Sequence, residues 1–291
     1  MKPLDLLDGP FLGVGLGIDV HSESPDWRAL LDKNRDGRAF DFFEVYTRGE
    51  AGAARKVRDA AGPRFPIVYH HEGLDPVYPA PPRADAVAAA DENLAALGAP
   101  WCVEELAYRF LDGRYLDFFM PAVLTDESVD VAVENVTTLN RRLRAPVVPE
   151  NPPYQLPVGP LHVLEYMAAL SARAQVPVVL DLGHLYSFQM CRGLGPLEGL
   201  DALPLDRVIE LHVAGASVIE RESVRIYEDL HGAAPILPEV LDMLGAVAPR
   251  CPHLRAVTIE VEDATTKGAL GQAREVKRVL AKAGVEAPTW R

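Results

Sequence analysis

Eight short apolar runs punctuate this chain, and between them lie loops and segments with helical periodicity. The runs are LGVGLGI (12–18), FDFFEVY (40–46), FPIVYH (65–70), PWCVEELAY (100–108), APVVPEN (145–151), PVVLDLG (177–183), RVIELHV (207–213) and AVTIEVE (256–262). Near-continuous apolar runs are what strands look like when both faces are buried, as in a parallel sheet covered by helices. Helices are expected at 83–99, 125–143, 159–174, 235–248 and 264–284. The second opens with Thr125 and Asp126 as candidate caps and ends in arginines, which suits the helix dipole. Eight strands alternating with helices predict an α/β fold, a (β/α)8 TIM barrel, as one domain over 1–291. An open doubly wound sheet is the alternative. Against it, the glycines of GVGLGID do not match the dinucleotide fingerprint GxGxxG.

The 291 residues fit one barrel of roughly 250 residues plus extensions. Hydrophobic residues at 48% supply a sizeable core, and a net charge of −13 disfavours nucleic acid as a partner. Three cysteines, Cys102, Cys191 and Cys251, form no CxxC pair, so free thiols and a cytoplasmic location are expected. They are expected to be buried fillers. The N-terminal stretch makes a poor signal peptide and is too short to span a membrane.

In a TIM barrel, reactive residues sit at the carboxyl ends of the strands. Here those ends carry Glu44, then His70 and His71, Glu104 and Glu105, Glu150 and Asn151, Asp181 and His184, His212, Asp229 and His231, and Glu260. Singly, each reads as a satisfied histidine or a solvated acid. Together, so many ionisable groups at one barrel mouth would repel unless neutralised, and metal cations do that. Strand parity lets only one of His70 and His71, and one of Glu104 and Glu105, enter the site. Asp229 and His231 are separated by one residue, so in an extended segment both point the same way. His70, Glu150, Asp181, His184, His212, Asp229, His231 and Glu260 give eight donors. One ion takes about four to six, so two or three ions are expected. All donors are nitrogen or oxygen, which suits iron, zinc or manganese. His162 and His253 read as structural, His21 is a loop residue within reach of the rim, and Phe42, Phe43, Trp101 and Tyr108 read as packing.

The stretches FFEVY, YHHEGL, PENPPY, LDLGHLY, ELHVAG, EDLHGAAP and TIEVED, in that order, resemble the multinuclear non-heme iron-dependent oxidative enzymes, relatives of the methanobactin-maturing oxygenase. The resemblance runs from about Gly13 to Glu262. It implies a xylose-isomerase-like TIM barrel and dioxygen-dependent oxidation with two or three iron ions. It implies a ribosomal precursor peptide as substrate, modified at cysteine, aspartate or asparagine, and a partner protein that binds the leader. By motif, His70, Glu150, Asp181, His212, Asp229, His231 and Glu260 would be metal ligands, and Asn151 would orient the Glu150 region or the substrate. Asn151 and Glu44 are the candidate catalytic residues. The chain departs from the pattern at Glu105, usually histidine, at His184, usually asparagine, and at Ala216, often histidine. Glu105 keeps a ligand at its position.

His184 and the Asp229-x-His231 spacing also resemble the zinc-dependent apurinic endonucleases and sugar isomerases of the same superfamily. A zinc or manganese hydrolase or sugar isomerase is therefore the alternative to an iron oxidase. A small-molecule substrate stays open in both readings, and a non-catalytic metal-stabilised module is the third.

Overall fold

A computed structural model describes residues 1–34, 39–47, 51–222 and 224–285. The chain opens with β1 (Gly13–Asp19), α1 (Trp27–Lys33), β2 (Phe42–Tyr46), α2 (Ala51–Ala61), β3 (Ile67–His70) and α3 (Ala84–Leu97). After β4 (Cys102–Glu105) comes a hairpin, β5 (Ala107–Leu111) and β6 (Arg114–Pro121). Then follow α4 (Asp126–Arg142), β7 (Val147–Glu150), α5 (Val163–Ala174), β8 (Val178–Asp181), α6 (Leu182–Arg192) and β9 (Val208–Ala214). A second hairpin, β10 (Ala216–Arg221) and β11 (Val224–Asp229), precedes α7 (Pro238–Val247), β12 (Ala256–Glu260) and α8 (Thr266–Lys282).

Eight strands close a parallel barrel in the order β1-β12-β9-β8-β7-β4-β3-β2. The eight apolar runs supply these eight strands. The expected helices form as α3, α4, α5, α7 and α8, each within a few residues of its expected ends. In α4 the Thr125 side chain accepts from the Ser128 N–H, and Arg141 and Arg142 occupy the last turn, as cap and dipole arguments require. The sequence pattern does not announce the two hairpins, nor α1, α2 and α6. The hairpins are inserted beyond barrel strands, where the parallel-sheet pattern says nothing about them.

Strand parity builds the interior in layers. Phe42, Val68, Trp101, Val103, Val148, Val179, Ile209 and Ala256 fill the lower barrel, with Leu6 and Leu12 closing the end. Two residues on from five of these lie Glu44, His70, Glu105, Glu150 and Asp181. One period of the strand thus carries an apolar layer into a polar one, with Glu44 just under the rim and the other four at it. The glycines of β1 have a steric reason. A Cβ on Gly15 would lie 2.3 Å from the Phe42 ring, and one on Gly17 would lie 2.8 Å from Glu262 Oε1. Among the described residues no helix is long and apolar enough to cross a membrane.

Candidate metal centre

The rim gathers three groups of donor atoms, each within 4.8 Å: Glu150, Asp181, His212 and Glu260; His184, Asp229 and Glu260; and Glu44, His70 and His212. Glu150 is the hub. Its carboxylate lies 3.1 Å from His70 Nε2, 3.0 Å from His212 Nδ1 and 3.8 Å from His184 Nδ1. His184 Nε2 lies 2.9 Å from Asp229 Oδ2. His231 stands at the outer edge, 3.4 Å from Asp229 and 3.8 Å from Glu260. The segment joining Asp229 to His231 is not extended, contrary to expectation. His231 has φ 37°, in the left-handed region, and this turn still brings both side chains to the rim.

Parity decides the adjacent pairs. His70 faces the interior, while His71 Nδ1 is held 2.6 Å from the Tyr69 hydroxyl. Glu105 shares the interior parity, while Glu104 Oε1 accepts the Gly73 and Leu74 N–H groups at 2.9 and 3.1 Å and braces a loop. Glu105 joins none of the three donor groups, and it faces Glu150, His184 and His70 from the rim.

One candidate holds a different place from that expected. Glu44 lies one strand period below the end of β2 and is fully buried. It sits under the rim, 3.2 Å from His212 Nε2. Asn151 donates its Nδ2 to Asp181 O and accepts the Asp181 N–H at Oδ1, both at 2.9 Å. This pair of hydrogen bonds clips β7 to β8 beside Glu150, the region Asn151 is expected to orient. Its carbonyl accepts from His184 Nδ1 at 2.9 Å. Sequence reading passed over Tyr46, Glu210, Thr258 and Glu262. The Tyr46 hydroxyl donates to Glu260 Oε1, and its ring stacks on His70 with centroids 4.1 Å apart. Glu262 Oε2 lies 3.1 Å from His231 Nδ1. Tyr46 and Glu262 follow Glu44 and Glu260 by two residues, and that spacing was the available signal. His162 caps α5 and His253 binds the Leu7 carbonyl, as expected of structural residues. Cys102 and Cys251 are buried, but Cys191 is exposed on α6, where the helix leaves it at the surface.

Burial pushes Glu44 and Glu105 each up to about 8, and Asp181 to about 7. Burial opposes the charge of Glu150 too, but the imidazoles of His212 and His70 outweigh it and hold the carboxyl at about 2. Burial would lower His70, yet Glu150 raises it to about 10. Glu150 Oε1, Asp181 Oδ2, Asp229 Oδ1, Glu260 Oε2 and both nitrogens of His212 are buried without a directed hydrogen bond. Buried polar atoms are ordinarily satisfied, so this convergence leaves a place for cations. An all-nitrogen-and-oxygen donor set of this kind fits iron, zinc or manganese. A cavity of about 220 Å³, with Tyr46, His231, Glu262, His21 and Glu72 in its wall, adjoins the rim.

Fold and rim together define a TIM barrel with clustered candidate metal ligands. At 12% identity a xylose-isomerase-like TIM barrel protein from Mycobacterium smegmatis, solved with magnesium, covers 97% of this chain and 99% of its own, with a TM-score of 0.59. Endonuclease IV from Thermus thermophilus covers 93% and 99% at 17% identity, with a TM-score of 0.57. These likenesses concern the fold.

The chain belongs to the RiPP precursor modification enzyme MbnB/TglH/ChrH family, whose model matches residues 13–280. A UPF0276 protein of Caulobacter vibrioides is 27% identical over 213 residues, 72% of this chain and 74% of that protein. A UPF0276 protein of Streptomyces avermitilis is 28% identical over 221 residues, 71% of this chain and 43% of that protein.

Proposed function

We propose that this protein is a multinuclear iron-dependent oxidoreductase that uses dioxygen to modify a cysteine, aspartate or asparagine of a ribosomally made precursor peptide, or a related small substrate. The observation that carries this is the set of orphaned carboxylate and imidazole atoms converging at the rim of this family's barrel. His70, Glu105, Glu150, Asp181, His184, His212, Asp229, His231 and Glu260 would hold two or three ions. Iron there would supply redox capacity and open coordination positions. The chain's own residues set the geometry. Asn151 fixes β8 beside Glu150, Tyr46 fixes the Glu260 carboxylate, and the apolar lower barrel keeps water from beneath the site. The cavity beside His231 is wide enough for a side chain rather than a folded domain. A leader-binding partner and a cytoplasmic setting belong to this reading; nucleic acid and membrane do not.

The close pairing of His184 with Asp229, at 2.9 Å, favours a second reading. It is a zinc or manganese hydrolase or sugar isomerase, working through the same ligands without redox chemistry.

The test is metal content of anaerobically purified protein, followed by oxygen uptake with cysteine-containing peptides encoded nearby. Two or more irons per chain and substrate-dependent uptake are expected. Zinc or manganese with little iron, and activity that persists without oxygen, would favour the second reading. Asp229→Ala and His231→Ala should each lower metal content, because each removes a proposed direct ligand. Unchanged stoichiometry in both would remove them from the ligand set.

A further inference from the structure

Four imidazoles surround the centre, and three of them share one arrangement. His70 Nδ1 lies 3.1 Å from the His71 carbonyl, His184 Nδ1 2.9 Å from the Asn151 carbonyl, and His231 Nδ1 3.1 Å from Glu262 Oε2. In each, Nε2 faces the rim carboxylates. An acceptor behind an imidazole holds its proton on one nitrogen and leaves the other a lone pair to offer.

His212 is turned the other way. Its Nδ1 faces the rim, 3.0 Å from Glu150 and 3.5 Å from Glu260. Its Nε2 points down the barrel, 3.2 Å from Glu44 Oε2 and 3.6 Å from Glu210 Oε1. Those two acids are anchored from below. Thr258 Oγ1 lies 2.8 Å from Glu44 Oε2 and 2.7 Å from Glu210 Oε1, and Trp101 Nε1 donates to Glu210 Oε2 at 2.8 Å. His212, Glu44, Glu210, Thr258 and Trp101 are all fully buried. So many polar groups in the barrel axis are costly unless they act on something above them.

Building on the metal reading, we infer that Glu44 and Glu210 are positioning residues. Their carboxyl oxygens stand 3.2 and 3.6 Å behind Nε2 and would accept its N–H hydrogen bond once a cation engages Nδ1, so that His212 meets the centre through Nδ1 while His70, His184 and His231 use Nε2. Glu44 is the main partner, being nearer, and Glu210 supports it through Thr258.

The experiment uses the full chain loaded with zinc, which is diamagnetic, with ¹⁵N-labelled histidine. Spectra of wild type and E44Q are compared, and zinc affinity is titrated against a chelating dye. In wild type, His212 Nε2 is expected to carry a proton and Nδ1 to show metal coordination. E44Q keeps the side-chain shape but turns one carboxyl oxygen into an amide that can only donate. It should bind zinc roughly 10–100-fold more weakly at the position His212 serves, with the His212 nitrogen shifts displaced and the other three histidines unmoved. E210Q should act in the same direction with a smaller effect.

Wild-type coordination through His212 Nε2 overturns the inference. So does loss of a whole equivalent of zinc in E44Q, which would make Glu44, His70 and His212 an ion position of their own. Unchanged affinity and shifts in E44Q would also overturn it. Should E44Q fail to fold, the wild-type spectrum alone decides. Wild type that takes up no zinc or iron overturns the metal reading itself, before any variant is made.

Discussion

Stripped of metal, the protein is expected to become less stable as pH rises from about 5 to about 8. Glu44 is held protonated in the folded state up to about 8, and Asp181 up to about 7, against ordinary values of 4.5 and 3.8. Above the ordinary values the unfolded chain gives up these protons and the folded chain keeps them. The unfolded state then binds fewer protons, and stability falls with pH until the folded values are passed. Glu105, raised to about 8, acts the same way but counts for less because it is partly exposed. His70, raised from 6.5 to about 10, adds a further loss above 6.5. Glu150, held at about 2, acts oppositely, and only below 4.5. The expected fall in Tm across this window is roughly 3–5 °C, equivalent to about 2–3 kcal/mol in a chain of this size. Bound cations reverse the slope, because they bind the deprotonated ligands and bind them better as pH rises. The measurement is Tm from pH 5 to 8.5 for chelator-treated and metal-loaded protein. Parallel curves for the two would show that the acids at the rim are not answered by a metal.

Removing Glu150 is expected to have the largest effect of any single substitution at the site. It is fully buried and lies within 4 Å of three imidazoles, those of His70, His212 and His184. Glu150→Ala leaves those rings without their shared counter-charge, and breaking a buried pair in this way costs about 3–5 kcal/mol. Urea unfolding of the metal-free protein at pH 6 measures it. Glu150→Gln keeps the volume and folds better, yet should hold at least one ion fewer per chain by elemental analysis. A full metal complement in Glu150→Gln would make Glu150 a structural partner of the histidines and not a ligand.

The sequence held most of the barrel because two periodicities do not overlap. Runs buried on both faces read as parallel strands, and the helices between them carry their own caps, such as Thr125. It also held the rim. Residues at strand ends must be polar where water or ions reach them, so Glu150, Asp181, His212 and Glu260 stood out against their apolar neighbours. The hairpins after β4 and β9 were not legible, since they cross no barrel strand and follow no barrel period.

What the sequence by itself determined is which residue types stand at the mouth, and by parity that only one of each adjacent pair turns inward. Side-chain alternation is a local property of a strand, so that restriction follows from spacing alone, and the contacts of His71 and Glu104 show which member turns away. What only the tertiary structure decided is what those side chains meet. Glu44 lies below the rim because register with β1 and β3 sets its height. Asn151 is taken up by the Asp181 backbone because β7 and β8 are neighbours in space and 30 residues apart in sequence. Glu210 and Thr258 come together under His212 because β9 and β12 pair. Contacts across a closed barrel depend on stagger between strands, and a one-dimensional pattern carries no stagger.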